Sequence, residues 1–130
     1  MGKREYIVRC SCGDERGSLM VNPKLKDVLT DHLCEAVLQL ETVEECYQLF
    51  EDICTISELN ALAQRLEVAR MLRKKHTYDE IVDRTGASTA TISRVKRCLH
   101  YGADGYKLIL ERMEVKNEAE QGDEEIHEKK

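Results

Sequence analysis

Between Ser88 and Arg97 the chain reads Ser-Thr-Ala-Thr-Ile-Ser-Arg-Val-Lys-Arg, a run of hydroxyls, a methyl side chain and cations with two aliphatic residues set among them. Ile92, Val95 and the following Leu99 recur at intervals of three and four, the spacing of one buried stripe on a helix. That leaves Thr89, Ala90, Thr91, Ser93, Arg94, Lys96 and Arg97 pointing outward. Small residues at a helix N-terminus allow close approach to base edges. Thr and Ser can hydrogen-bond several bases or offer a methyl to thymine, and cations meet phosphates. The chemistry these residue types support is recognition of double-stranded DNA. Catalysis has no comparable constellation: the four histidines lie in four separate segments, no Gly-rich phosphate loop occurs, and no nucleophile has a base at suggestive spacing. The chain is not expected to be an enzyme.

The neighbouring residues position this run. Thr77 followed by Glu80 is a capping box, whose hydroxyl and carboxylate satisfy backbone N–H groups left orphaned by a first helical turn, so a helix starts at Tyr78. Gly86 sits where that helix must stop, because glycine accepts the left-handed conformation of a sharp turn. Ser88 is then an N-cap for the second helix. Two short helices joined at Gly86 form a helix-turn-helix, and the expected DNA-facing set is Tyr78, Ser88, Thr89, Ala90, Thr91, Ser93, Arg94, Lys96 and Arg97.

Charge is distributed to match. The chain as a whole carries −5, but between residues 65 and 113 eleven Lys and Arg face six Asp and Glu, a local +5. The flanks are acidic, at −6 over residues 1–64 and −4 over 114–130. Binding to DNA depends on local phosphate contacts, so the acidic total is no obstacle. No apolar run approaches the roughly 20 residues of a membrane span, and the N-terminus lacks a signal-peptide core, so a cytoplasmic protein is expected, associated with the nucleoid when bound to DNA. Six cysteines form no disulfide framework. Cys34, Cys46, Cys54 and Cys98 fall on helical segments, mostly on apolar faces, and are expected as buried thiols. Neither Cys10 with Cys12 nor His32 with Cys34 has the spacing of a zinc site, so no metal is expected.

Six helices in all, the two of the helix-turn-helix included, and no strand are expected. Residues 1–21 have no sustained period and are expected to be a flexible extension, with Met20 as a second candidate start. Structure is expected from Asn22, with Pro23 at a first helical position. An apolar stripe from Leu25 through Val28, Leu29, His32, Leu33, Ala36 and Val37 to Leu40 predicts one helix over Lys24–Glu41. Thr42 with Glu45 and Thr55 with Glu58 form two further capping boxes. The second opens a helix that ends in Arg73-Lys74-Lys75, and a last helix begins near Asp104. From residue 114 to 130 the Glu/Lys-rich sequence is expected to fray into a disordered acidic tail. The long stripe offers more apolar surface than the short helices can cover, which implies a homodimer.

Cys54-Thr-Ile-Ser-Glu-Leu-Asn-Ala-Leu-Ala-Gln-Arg-Leu-Glu-Val-Ala-Arg-Met-Leu72, Thr77-Tyr-Asp-Glu-Ile81 and Thr85-Gly-Ala-Ser-Thr-Ala-Thr-Ile-Ser-Arg-Val-Lys-Arg-Cys-Leu99 together resemble the Trp repressor superfamily, most closely its YerC/YecD branch. The resemblance covers residues 22–113, the expected DNA-binding domain. It implies an all-α, intertwined homodimer whose helix-turn-helix heads reach successive major grooves, with base contacts from Thr89, Ala90 and Thr91. It also implies an effector pocket in which Arg65 and Arg94 sandwich the indole of tryptophan, with Thr55 nearby. In that pocket Val95 replaces a glycine and Cys98 a serine. An isopropyl group there closes the site by sterics, which speaks against tryptophan as corepressor, and no other cofactor is expected. The expected function is a sequence-specific transcriptional regulator, a repressor. The alternatives are a replication-initiator-like DNA-binding module and a protein-interaction adaptor that has lost DNA binding.

Overall fold

A computed structural model describes residues 21–125, with side chains described as far as residue 118. A single 3-10 turn at Pro23–Leu25 precedes six helices: α1 (Val28–Leu38), α2 (Val43–Ile53), α3 (Ile56–Arg73), α4 (Tyr78–Thr85), α5 (Thr89–Tyr101) and α6 (Gly105–Glu125). No strand occurs among the described residues.

The capping boxes at α3 and α4 are fully formed. The Thr55 hydroxyl accepts from the Glu58 N–H at 3.2 Å while Glu58 accepts from the Thr55 N–H at 2.8 Å, and Thr77 and Glu80 repeat the exchange at 3.3 and 2.8 Å. The box at α2 is shifted. Thr42 accepts from the Glu45 N–H at 3.2 Å, but Glu45 reaches one residue further back, to the Glu41 N–H at 2.8 Å. The helix expected over Lys24–Glu41 is also broken. Asp27 accepts from both the backbone N–H and the hydroxyl of Thr30, at 2.8 and 3.0 Å, and so acts as an N-cap. A short side chain that bonds its own neighbouring backbone favours starting a helix over continuing one.

α3 is the spine of the packed region. It lies against α4, α5 and α6, and α5 in turn lies against α4 and α6. The buried core draws Val68, Ala69 and Met71 from α3, Ile81 from α4, Ala87 from the turn, Ile92 and Val95 from α5, and Leu110 from α6. Truncating one such residue to alanine typically costs about 2–5 kcal/mol, whereas the exposed Arg70–Glu67 pair belongs to a class worth about 0–1. Packing therefore outweighs surface charge in holding the fold. α3 ends at Lys74, beyond which Lys75 takes φ 62°. The His76 N–H reaches the Met71 carbonyl at 3.1 Å and the Lys75 N–H reaches Leu72 at 3.0 Å, a Schellman closure that turns the chain into α4.

α1 and α2 contribute nothing to this core. No residue from 22 to 53 is buried, and Leu29 is 81% exposed. The thiols expected to be buried are affected accordingly: Cys34 is exposed and Cys46 and Cys54 are half-exposed, because no described part of the chain covers their helices. Cys98 is exposed on α5, off the stripe that Ile92 and Val95 bury. At the other end, α6 runs on to Glu125, so the acidic segment expected to be disordered from residue 114 is helical that far. Its Glu, Lys, Ala and Gln content is favourable for helix. Of the extension expected over residues 1–21, all but Val21 lies outside the described residues, Cys10, Cys12 and Met20 included, as do residues 126–130.

At Gly86, φ is +68° and a Cβ would meet nothing within 4 Å. Gly86→Ala thus introduces only left-handed strain of about 1–2 kcal/mol, offset by about 0.4–1 from the stiffer unfolded chain. The expected outcome is a net loss of about 1 kcal/mol in urea denaturation. An unchanged midpoint would contradict the turn geometry. The carboxyls of Glu58, Glu80 and Asp27 sit below their ordinary range, chiefly because the backbone N–H groups of Thr55, Thr77 and Thr30 donate to them. A carboxyl depressed by folding stabilises the fold above its unfolded pKa of about 4, and the contribution is lost as pH falls through the lower folded value. Below pH ~4, hydrogen-exchange protection, taken relative to the intrinsic rate at the same pH, is expected to fall at Thr55, Thr77 and Thr30 before it does at Ile92.

Candidate nucleic-acid interface

The helix-turn-helix is fixed by a small set of hydrogen bonds centred on Thr85. Its hydroxyl donates to the Ile81 carbonyl at 2.7 Å and accepts from the Ala87 N–H at 3.2 Å, bracing both sides of Gly86. Its own carbonyl accepts from the Gln64 side chain at 3.0 Å, which ties the turn to α3. With Ala87 buried directly beyond the glycine, α5 leaves the turn in one direction.

Ser88 caps α5 as expected, accepting from the Thr91 N–H at 3.2 Å, and the Ser88 and Thr91 hydroxyls lie 3.1 Å apart. Thr91 is half-buried, while Thr89 and Ala90 are exposed on the leading turn. Ser93, Arg94, Lys96 and Arg97 are exposed further along the helix. None of these three cations has an acidic partner among the described residues. By contrast, Arg70 is held by Glu67 at 2.6 Å and Arg73 by Glu114 at 3.2 Å. Glu67 is engaged by Arg70, which also holds its carboxyl below the usual glutamate range. Tyr78 has a second role. It is half-buried against the core, and Lys96 Nζ stands 5.7 Å from its ring centroid, a cation–π contact that positions the lysine at the junction of α4 and α5.

Of the residues implied around an effector, Thr55 caps the start of α3, Arg65 lies along α3, and Arg94, Val95 and Cys98 lie on α5. Val95 is 2% exposed and belongs to the core. Thr55 caps α3 with its hydroxyl. Arg65, Arg94 and Cys98 are exposed. Near Arg65 and Cys98 lies Tyr106 of α6, packed against the core. Burial pushes its hydroxyl pKa up, the Cys98 thiol adds to the rise, and Arg65 opposes it. No group of three or more His, Cys, Asp or Glu converges among the described residues, and no helix there is long and apolar enough to cross a membrane.

Gln64, Thr85 and Tyr106 are the residues that the motif alone does not single out. Gln64 acts through a bond to a carbonyl twenty-one positions away. Thr85, directly before the glycine, carries a readable signal: a hydroxyl beside a turn can bond its own neighbouring backbone.

Residues 29–114 match the family model described as Trp repressor protein. The chain is 58% identical over 90 residues to the uncharacterized protein YerC of Bacillus subtilis (strain 168), covering 69% of this chain and 86% of that one. Among solved structures it is similar to a candidate Trp repressor from Staphylococcus aureus, with a TM-score of 0.68 and 52% identity over 71% of this chain and 92% of that one. It is equally similar to a TrpR-like protein from Eubacterium eligens ATCC 27750, with a TM-score of 0.69 and 53% identity over 71% and 95%.

Thr85→Val keeps the shape and removes the hydroxyl that braces the turn. It is expected to cost about 1–3 kcal/mol, because the Ala87 N–H loses its acceptor. Chemical denaturation measures the loss, and a cost within experimental error would show that Gly86 alone sets the turn.

Proposed function

Because the chain belongs to the Trp repressor family, a family of DNA-binding transcription regulators, we propose that it is a sequence-specific regulator that represses by occupying a palindromic operator. The observation that carries this reading is the leading half of α5: Thr89 and Ala90 exposed on a capped first turn, followed by Arg94, Lys96 and Arg97 without acidic partners among the described residues. Thr89, Ala90 and Thr91 read base edges in the major groove. Ser88, Ser93, Arg94, Lys96 and Arg97 contact the backbone, with Tyr78 behind Lys96. Residues 22–113 form the DNA-binding domain.

The regulator is a homodimer. α1 and α2 expose Val28, Leu29, Leu33, Val37 and Leu38, then Val43, Tyr47 and Ile53, and no described part of the same chain covers them. A second copy that interleaves its own α1 and α2 buries this surface and places two recognition helices on a two-fold axis, about one DNA turn apart. Tryptophan is not required, because Val95 already occupies core space where a ligand would have to pass.

These statements are tested together on the full chain. Light scattering is expected to give twice the 15.0 kDa chain mass, and Leu29→Asp is expected to lower it. Arg94→Ala with Arg97→Ala is expected to weaken duplex binding roughly tenfold or more. It should also flatten the salt dependence by about 0.9 in log–log slope for each phosphate that is no longer neutralised. L-Tryptophan is expected to leave the affinity unchanged. A parent chain that binds no duplex would defeat the DNA reading and favour an adaptor, and a double variant that binds duplex like the parent would defeat Arg94 and Arg97 as its phosphate contacts.

A further inference from the structure

A cleft of about 600 Å³ opens between the C-terminal end of α3, the start of α4, the C-terminal half of α5 and the first turns of α6. None of Thr55, Arg65, Arg94, Val95 or Cys98 lines it, so it is a different place from the effector pocket implied by the family. Its floor is apolar, made by Leu72, Leu99 and the ring of Tyr78. Its rim is basic, with Arg73, Lys75 and His76 from the α3–α4 junction, Lys96 and His100 from α5, and Lys107 from α6. Glu111 is the one carboxylate on the lining, and it stands 3.9 Å from Arg73.

Neighbouring acids pair with part of this rim: Glu114 holds Arg73 at 3.2 Å and Glu80 accepts from His76, whereas the Asp104–Lys107 pair at 2.9 Å is solvent-exposed and weak enough to yield Lys107 to an anion. Lys75, Lys96 and His100 have no acidic partner among the described residues. The cleft therefore holds a local excess of cationic and hydrogen-bond-donating groups above an apolar floor, in a volume typical of small-molecule sites, about 300–1,000 Å³. An extended DNA backbone gains nothing from the floor, since its phosphates are met by exposed cations and donors. A ligand with both an acid group and a compact apolar body uses both parts of the cleft.

We propose that this cleft binds a small organic anion, its carboxylate or phosphate held by Lys96, His100 and Lys107 and its apolar ring or chain laid on Leu72, Leu99 and Tyr78. Lys96 of α5 and Tyr78 of α4 also belong to the proposed DNA-facing set. An occupant that draws Lys96 into the cleft takes it away from the DNA backbone and weakens DNA binding. That consequence rests on the proposed function, whereas binding itself does not.

The test titrates the 15N-labelled full chain, without DNA, with phenyl phosphate, and in parallel with inorganic phosphate and benzyl alcohol. Phenyl phosphate is expected to shift the amides of His76, Leu99, His100 and Lys107 saturably, at concentrations at least tenfold below either control. His100→Glu with Lys107→Glu is expected to abolish the response while keeping a dispersed spectrum, and the milder His100→Gln, Lys107→Gln pair reports the same point if the first does not fold. Equal response to inorganic phosphate would overturn the proposal, since a plain basic surface of the kind that meets a DNA backbone behaves that way. Shifts confined to Arg65 and Cys98 or to α1 and α2, or an undiminished response in both variants, would also overturn it. With no DNA in the sample, failure here leaves the DNA reading standing, and failure of the DNA reading leaves this result interpretable.

Discussion

The helix-turn-helix is placed by the burial of Val68, Ala69 and Met71 of α3 against Ile81, Ile92, Val95 and Leu110. The helices that carry the helix-turn-helix are short, α4 having 8 residues and α5 having 13. Helices of that length are marginal in water and depend on tertiary packing for most of their stability. α3 supplies that packing along its C-terminal half, and the Gln64 bond to Thr85 sets the turn relative to it. Once Ile92 and Val95 are committed inward, the period of the helix leaves Thr89, Ala90, Arg94 and Arg97 no direction but outward.

The same constraint explains why the chain is divided. The core uses residues from Val68 to Leu110, the stretch within which the charge is positive, while α1 and α2 are acidic, apolar on one stripe and uncovered. An arm that buries nothing against the described rest of its own chain gains little from folding alone, which supports the proposed second copy as its cover. A basic head on an acidic body also keeps non-specific attraction to DNA local to α5 and its neighbours.

How much of this was legible in the sequence depended on how local the signal was. The boxes at Thr55 and Thr77, the stop at Gly86, the cap at Ser88 and the stripe through Ile92 and Val95 all arise from residues within four positions of one another, and all are present as read. Where two local signals competed, periodicity misled. The stripe from Leu25 to Leu40 concealed the Asp27–Thr30 cap that restarts the helix, and the carboxylate of Glu45 found Glu41 rather than Thr42. Burial of Cys34, Cys46 and Cys54 was misjudged because an apolar face shows what can be covered but not by what. The cleft rimmed by Lys96, His100 and Lys107 was invisible for a stronger reason. Its walls come from four helices, and no spacing within any one of them marks it.

Selection of bound duplexes from a random pool, followed by sequencing, tests most directly the claim that α5 is a base-reading helix held by this core. The expected result is enrichment of one palindrome whose half-sites are centred about 10 base pairs apart, with enrichment lost for the chain carrying Ala in place of Arg94 and Arg97. Recovery of duplexes with no common sequence, or the same palindrome enriched equally by the substituted chain, would contradict it.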